Sequence, residues 1–140
     1  MIFGIVVATS LVAASKEVTI EELKARAASA SVDDRPSLCV EIAQRQLEAA
    51  SKLYTENEDD KAKAAVDDVA SYSEQARDAC TRSHKRLKQT EIAVRKMAHR
   101  LRDIKRTVSF EDQAPLDADI DRLEHVRTDL LTAMFGSKAK

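Results

Sequence analysis

Residues 5 to 135 contain no glycine; the two glycines of the chain are Gly4 and Gly136. Glycine is the residue that enters the left-handed backbone region without steric cost, so its absence disfavours primed hairpins, phosphate-cradling loops and dinucleotide fingerprints. What remains is helix. Of 140 residues 34% are charged and 4% aromatic, and Ala, Lys, Arg, Glu and Gln crowd the middle of the chain, a mixture of strong helix formers. An all-α chain is expected, large enough for one small domain or an elongated helical hairpin. The formal net charge is −1, so overall charge favours neither nucleic acid nor an acidic ligand.

Residues 2 to 14, IFGIVVATSLVAA, carry no charge and run into Ser15 and Lys16. They read as the apolar region of an export signal, with Val12 and Ala14 three and one places before Ser15, so cleavage between Ala14 and Ser15 is expected. The product is then exported, periplasmic or secreted, without a stable membrane span after processing. The alternative is a chain tethered to the membrane by the uncleaved segment. Thirteen helical residues rise about 20 Å, short of a hydrocarbon core of roughly 30 Å.

Helix signals divide the rest. Thr19 and Glu22 form a capping box with Val18 and Leu23 as its hydrophobic staple, opening a short helix and linker over 15–35. The helical domain follows at 36–136, with a tail at 137–140. A helix over about 36–56 opens at Pro36 and repeats Val40, Ala43, Leu47, Ala50 and Tyr54 on one face. After the polar turn ENEDD at 56–60, a long helix over 61–108 keeps one heptad phase. Its a positions are Val66, Ser73, Cys80, Leu87, Val94, Leu101 and Val108, and its d positions Val69, Ala76, Ser83, Thr90, Met97 and Ile104. Ser73, Ser83 and Thr90 weaken the middle of that stripe. The expected architecture is therefore an elongated coiled-coil-like bundle of antiparallel hairpins around one long central helix, or a four-helix bundle if that helix bends near 81–86. A last helix, 116–135, follows Pro115 and stops at Gly136.

Antiparallel registers can be drawn about the turns. One sets Val108 opposite Leu116, Ile104 opposite Ile120, Leu101 opposite Leu123 and Val94 opposite Leu130, with Lys105 level with Asp119, Arg100 with Glu124 and Arg95 with Asp129. Another sets Leu47 opposite Tyr72 and Cys39 level with Cys80. In an exported protein a Cys39–Cys80 disulfide is expected; in a cytosolic one, two buried thiols. The 47–79 region, with small residues around a tyrosine and a short turn, resembles a tetratricopeptide hairpin over about a quarter of the chain, which implies antiparallel packing there. The glycine of that family's first helix is absent and no second repeat follows.

From Arg82 to Arg106 ten Lys or Arg face only Glu91 and Asp103. Such a run can grip an anionic envelope surface or polymer, with Arg82, Lys85, Arg86, Lys88, Arg95 and Lys96 as candidates. The simpler expectation is neutralisation by the acidic segment 111–129, which the register lays beside it. Nucleic acid is disfavoured because few aromatics are available for stacking. His84, His99 and His125 lack the helical-turn spacing of a metal site, Asp59–Asp60 and Asp67–Asp68 read as solvated charge, and no nucleophile has a base beside it. No metal, cofactor or catalytic residue is read from the chain, and it is not expected to be an enzyme. The expected function is structural or interaction-mediating in the cell envelope, through an unidentified protein partner or self-association. Binding of an anionic surface through Arg82 to Arg106 is the alternative, and a cytosolic helical adaptor comes third.

Overall fold

The computed structural model describes residues 17–136. The expected signal segment, the Ala14–Ser15 junction and the tail 137–140 lie outside the described residues. Five helices follow in order: α1 Ile20–Ser29, α2 Arg35–Thr55, α3 Asp59–Ser83, α4 Leu87–Lys105 and α5 Phe110–Phe135. Helices α2 to α5 form a bundle, and α1 packs on the outside of α2.

The Thr19 hydroxyl accepts the Glu22 backbone N–H at 3.1 Å, as a capping residue should. Val18, Leu23 and Ala27 then join Cys39, Ile42 and Ala76 in a small core beneath α1. The far end of α1 is closed by Arg35, whose guanidinium donates to the Ala27 carbonyl at 3.2 Å and to the Ala30 carbonyl at 2.8 Å. Lys24 binds Asp68 at 2.9 Å and lies 5.7 Å from the centre of the Tyr72 ring. Asp68 also accepts from Gln46 at 2.7 Å. It is therefore no solvated charge, but the polar clasp that joins α1 and α2 to α3.

The turn between α2 and α3 ends in a double hydrogen bond: Glu58 N–H to the Leu53 carbonyl at 2.9 Å and Asn57 N–H to the Tyr54 carbonyl at 3.2 Å. Asn57 takes φ 60° to make it, the left-handed cap that glycine usually supplies and asparagine tolerates. His84 (φ 56°) and Arg86 (φ 59°) adopt the same conformation between α3 and α4. The glycine-free stretch thus enters the left-handed region three times. The expected long helix does not run through: it breaks at His84 to Arg86, and the bent, four-helix alternative holds.

Two hairpins result, α2–α3 and α4–α5, laid side by side with α3 against α5 and α4 against α2. The heptad stripe still supplies the core on both sides of the break, since Val66, Val69, Cys80, Val94, Met97, Leu101 and Ile104 are all buried with Leu116, Ile120, Leu123, Val126 and Leu130. The ion pairs along α4–α5 bracket the expected register without matching it: Lys105 pairs with Asp117 at 2.6 Å and Arg102 with Glu124 at 2.6 Å. Arg95 pairs with Glu91 of its own helix at 3.8 Å, Arg100 turns to Ser51 of α2 at 3.2 Å, and Asp129 pairs with Arg77 of α3 at 3.1 Å instead.

Helix α5 also starts earlier than Pro115 suggests, at Phe110, with the proline inside it. The ring denies a bond to the Glu111 carbonyl, but both residues are exposed, so water satisfies that group. The level cysteines are corrected too. Cys39 and Cys80 are buried and unbonded, Cys39 in the small core under α1 and Cys80 in the main core with its sulfur 3.2 Å from the Thr90 hydroxyl. Equal height in a seam does not aim both side chains at one point, as a disulfide requires.

Arg86→Gly should stabilise the protein by about 0.5–1 kcal/mol, because the cost of a left-handed Cβ exceeds the extra chain entropy of glycine. Urea unfolding measures it, and a loss of stability would mean that the Arg86 side chain holds the reversal.

Candidate functional site

Along the α2–α4 seam the two helices run parallel, and three clefts follow one another. The first, of about 220 Å³, lies between Pro36, Val40, Arg86 and Gln89. The second, of about 340 Å³, is lined by Leu47, Ala93, Met97, Lys96 and Arg100. The third, of about 400 Å³, lies at the bundle end among Ser51, Tyr54, Arg100, Asp103 and Ile104. Together they follow nearly the whole of α2, roughly 30 Å at the helical rise. Leu47 and Met97 are only 5% and 2% exposed, while Gln44, Glu48, Lys96 and Arg100 stand out around them. The seam is a groove whose first two clefts have an apolar floor and a charged rim, and whose third is lined mainly by polar side chains.

The basic stretch divides over this geometry. Arg102 and Lys105 turn to α5 and are neutralised there. Lys85 is held by Asp33 at 2.7 Å, and Arg95 lies 3.8 Å from Glu91. Arg82, Arg86, Lys88 and Lys96 are exposed and form no ion pair among the described residues. Arg100 bonds only the Ser51 hydroxyl, at 3.2 Å. Neutralisation by the acidic segment is therefore real but one-sided, and the α4 surface beside the groove stays positive.

Buried charge lies elsewhere. Glu91, 5% exposed, takes the Arg127 guanidinium at 3.3 Å. Asp112, 7% exposed, accepts from Ser109 at 2.8 Å and binds Lys63 at 2.9 Å, and the lysine holds its carboxyl below the usual range. Asp119 lies at the α3–α5 seam, where Arg122 reaches Asp119 at 3.1 Å, Asp67 at 3.7 Å and also Glu74. Three carboxylates thus share one guanidinium. Burial first, and then the neighbouring Asp67, push the Asp119 carboxyl up to about 6. The Tyr54 hydroxyl is buried without a hydrogen-bond partner, and burial together with Asp112, Asp59 and Asp119 pushes it up to about 12.

The thiols are inert by the same physics: burial raises Cys39 to about 11 and also raises Cys80, and the thiol form is a poor nucleophile. His99 approaches Asp103 at 3.8 Å, and His125 bonds the Asp121 carbonyl at 2.8 Å. Among the described residues no group of three or more His, Cys, Asp or Glu side chains is placed to hold a metal.

The groove was not visible in the sequence, because it arises between helices that are not neighbours in the chain. The buried carboxylates had a signal. Asp112, Leu116, Asp119, Leu123, Val126 and Leu130 keep a strict four–three spacing, so two aspartates occupy the core stripe of α5. No protein-family model matches the chain, and no curated protein or solved structure is similar to it.

The folded Asp119 keeps a proton between about pH 4 and 6 that the unfolded chain has released, so this group makes stability fall as pH rises through that window. Asp119→Asn should therefore add about 1–2 kcal/mol at pH 7.5 and little at pH 4, measured by urea unfolding at both. An equal gain at the two values would contradict the assignment.

Proposed function

We propose that this is an exported, non-enzymatic helical protein with a structural or interaction-mediating role in the cell envelope. The docking face is the α2–α4 groove and the basic α4 surface beside it. The observation that carries this reading is the combination of an apolar floor with unpaired cations at its rim, since a groove with those two features offers burial and orientation to a partner at once. Export rests on the apolar 2–14 segment and the small residues before Ser15. Among the described residues no helix is long and apolar enough to cross a membrane.

Mass spectrometry of the protein recovered from its host tests the address. The expected mass is that of a chain beginning at Ser15 with both thiols reduced, and an intact Met1 would overturn processing.

The second reading, an anionic surface held through Arg82, Lys85, Arg86, Lys88, Arg95 and Lys96, is favoured by the four cations without acidic partners. It predicts binding to phosphatidylglycerol-containing vesicles at 20 mM salt that is lost by 300 mM, because exposed charges are screened over a Debye length of about 10 Å or less above 0.1 M. Cosedimentation reads this directly, and no binding at low salt removes the second reading.

A further inference from the structure

The large apolar side chains exposed among the described residues are Phe110, Leu131 and Phe135, at 84%, 38% and 75%. All three lie on α5. At 100° per residue Phe110, Ala114, Asp121 and Phe135 share one outward stripe, about 37 Å from end to end at the helical rise. Glu111, beside that stripe, and Asp121, within it, are exposed and make no ion pair among the described residues. The chain therefore carries an acidic, phenylalanine-tipped helix face on which Asp121 is unpaired, while Asp117 of the same stripe is held by Lys105 at 2.6 Å. On another side of the same molecule it carries a groove of similar length with an apolar floor in its first two clefts and the unpaired cations Arg86 and Lys96.

We infer that a second copy of this chain docks there, laying the outer stripe of its α5 along the α2–α4 groove. The inference rests on the groove being the docking face and names the occupant. Charge is complementary over the first two clefts, where Glu111 and Asp121 meet Arg86, Lys96 and Arg100 against the single rim acid Glu48. Shape is complementary, since Leu47 and Met97 are recessed beneath that rim. A side-chain knob on a helix reaches such a floor, as in helix-in-groove recognition; a flat anionic surface touches only the rim. Burying the two exposed phenylalanines removes apolar surface that a lone exposed face leaves in water.

The contact is heterologous, because stripe and groove are different surfaces of one molecule. Each copy that docks leaves one stripe and one groove open, so association continues head to tail instead of stopping at a two-fold dimer. Such growth suits a structural element.

Sedimentation velocity of the full-length protein at 5 to 200 μM and low salt tests this with two exposed-site variants, Phe135→Ser with Asp121→Lys on the stripe and Lys96→Glu with Arg86→Glu on the rim. Helical circular dichroism confirms that each is folded. Wild type should grow in mass with concentration, and each variant alone should associate at least tenfold more weakly. An equimolar mixture of the two should form a heterodimer that grows no further, because each supplies only the half that the other lacks.

A monomeric wild type at 200 μM, association unchanged by either variant, or a mixture that forms no heterodimer would each overturn the inference. The groove as docking face is judged separately, by vesicle binding and by recovery of envelope proteins with the rim variant. If those are lost in the rim variant while wild type stays monomeric, the inference fails and the docking face stands. If they too are unchanged, both fail.

Discussion

Two residues in left-handed conformation, His84 and Arg86, stop one helix and start another, and every long-range contact of the bundle depends on that reversal. A helix continuing from Asp59 to Lys105 would reach about 70 Å and leave half of its apolar stripe without a partner. Each left-handed residue with a Cβ costs roughly 1–2 kcal/mol. Against that, folding back places Val94, Met97, Leu101 and Ile104 in a shared core at 4% exposure or less, and each such side chain contributes about 1.5–3 kcal/mol on burial. Burial exceeds backbone strain, so the chain turns. The turn comes at the point where the stripe is weakest, around Ser83, because little burial is forfeited there.

Once the two hairpins lie side by side, their four seams are not equal. Helix α1 covers the α2–α3 side and is fastened by Lys24 to Asp68. The α3–α5 seam is joined through Arg122, which gathers Asp67, Glu74 and Asp119. The α4–α5 seam has Arg102, Lys105 and Arg127 paired across it. Only α2–α4 has neither a covering helix nor a cross-seam ion pair among the described residues, and the three clefts lie along it. The same arrangement leaves α5 with phenylalanines facing outward and α4 with cations facing away from their acids. Unfinished burial and unfinished neutralisation thus remain on two sides of the bundle.

Periodicity made the helices legible. The Thr19 cap, the Gly136 stop and the heptad positions from Val66 to Ile104 depend on neighbours within a few residues, so local rules suffice. Local punctuation misled in two ways. Pro115 lies within α5 because the one carbonyl it deprives, that of Glu111, faces water. Asn57, His84 and Arg86 took the conformation reserved for glycine because the hydrogen bonds and burial they permit exceed the strain. The expected ion pairs of α4 and α5 were displaced by about half a turn, since long side chains choose among several acids once helix rotation is set. The disulfide expectation failed for a related reason: height along a seam follows from sequence, but the direction of a side chain follows from how the helices are rotated.

The sequence by itself determined that the chain is helical, where α1 and α2 begin and end, where α3 begins and where α4 and α5 end within a few residues, and which stripe of each is apolar. These are properties of single segments, governed by propensity, capping and a period of 3.6. Only the tertiary structure decided that the long heptad run folds back, that Asp112 and Asp119 are buried among carboxylates and cations, and that an open groove lies between α2 and α4. Those outcomes turn on competition between distant segments for one core, in which a few kcal/mol of shared burial outweigh local preference, and no window of neighbouring residues contains that balance.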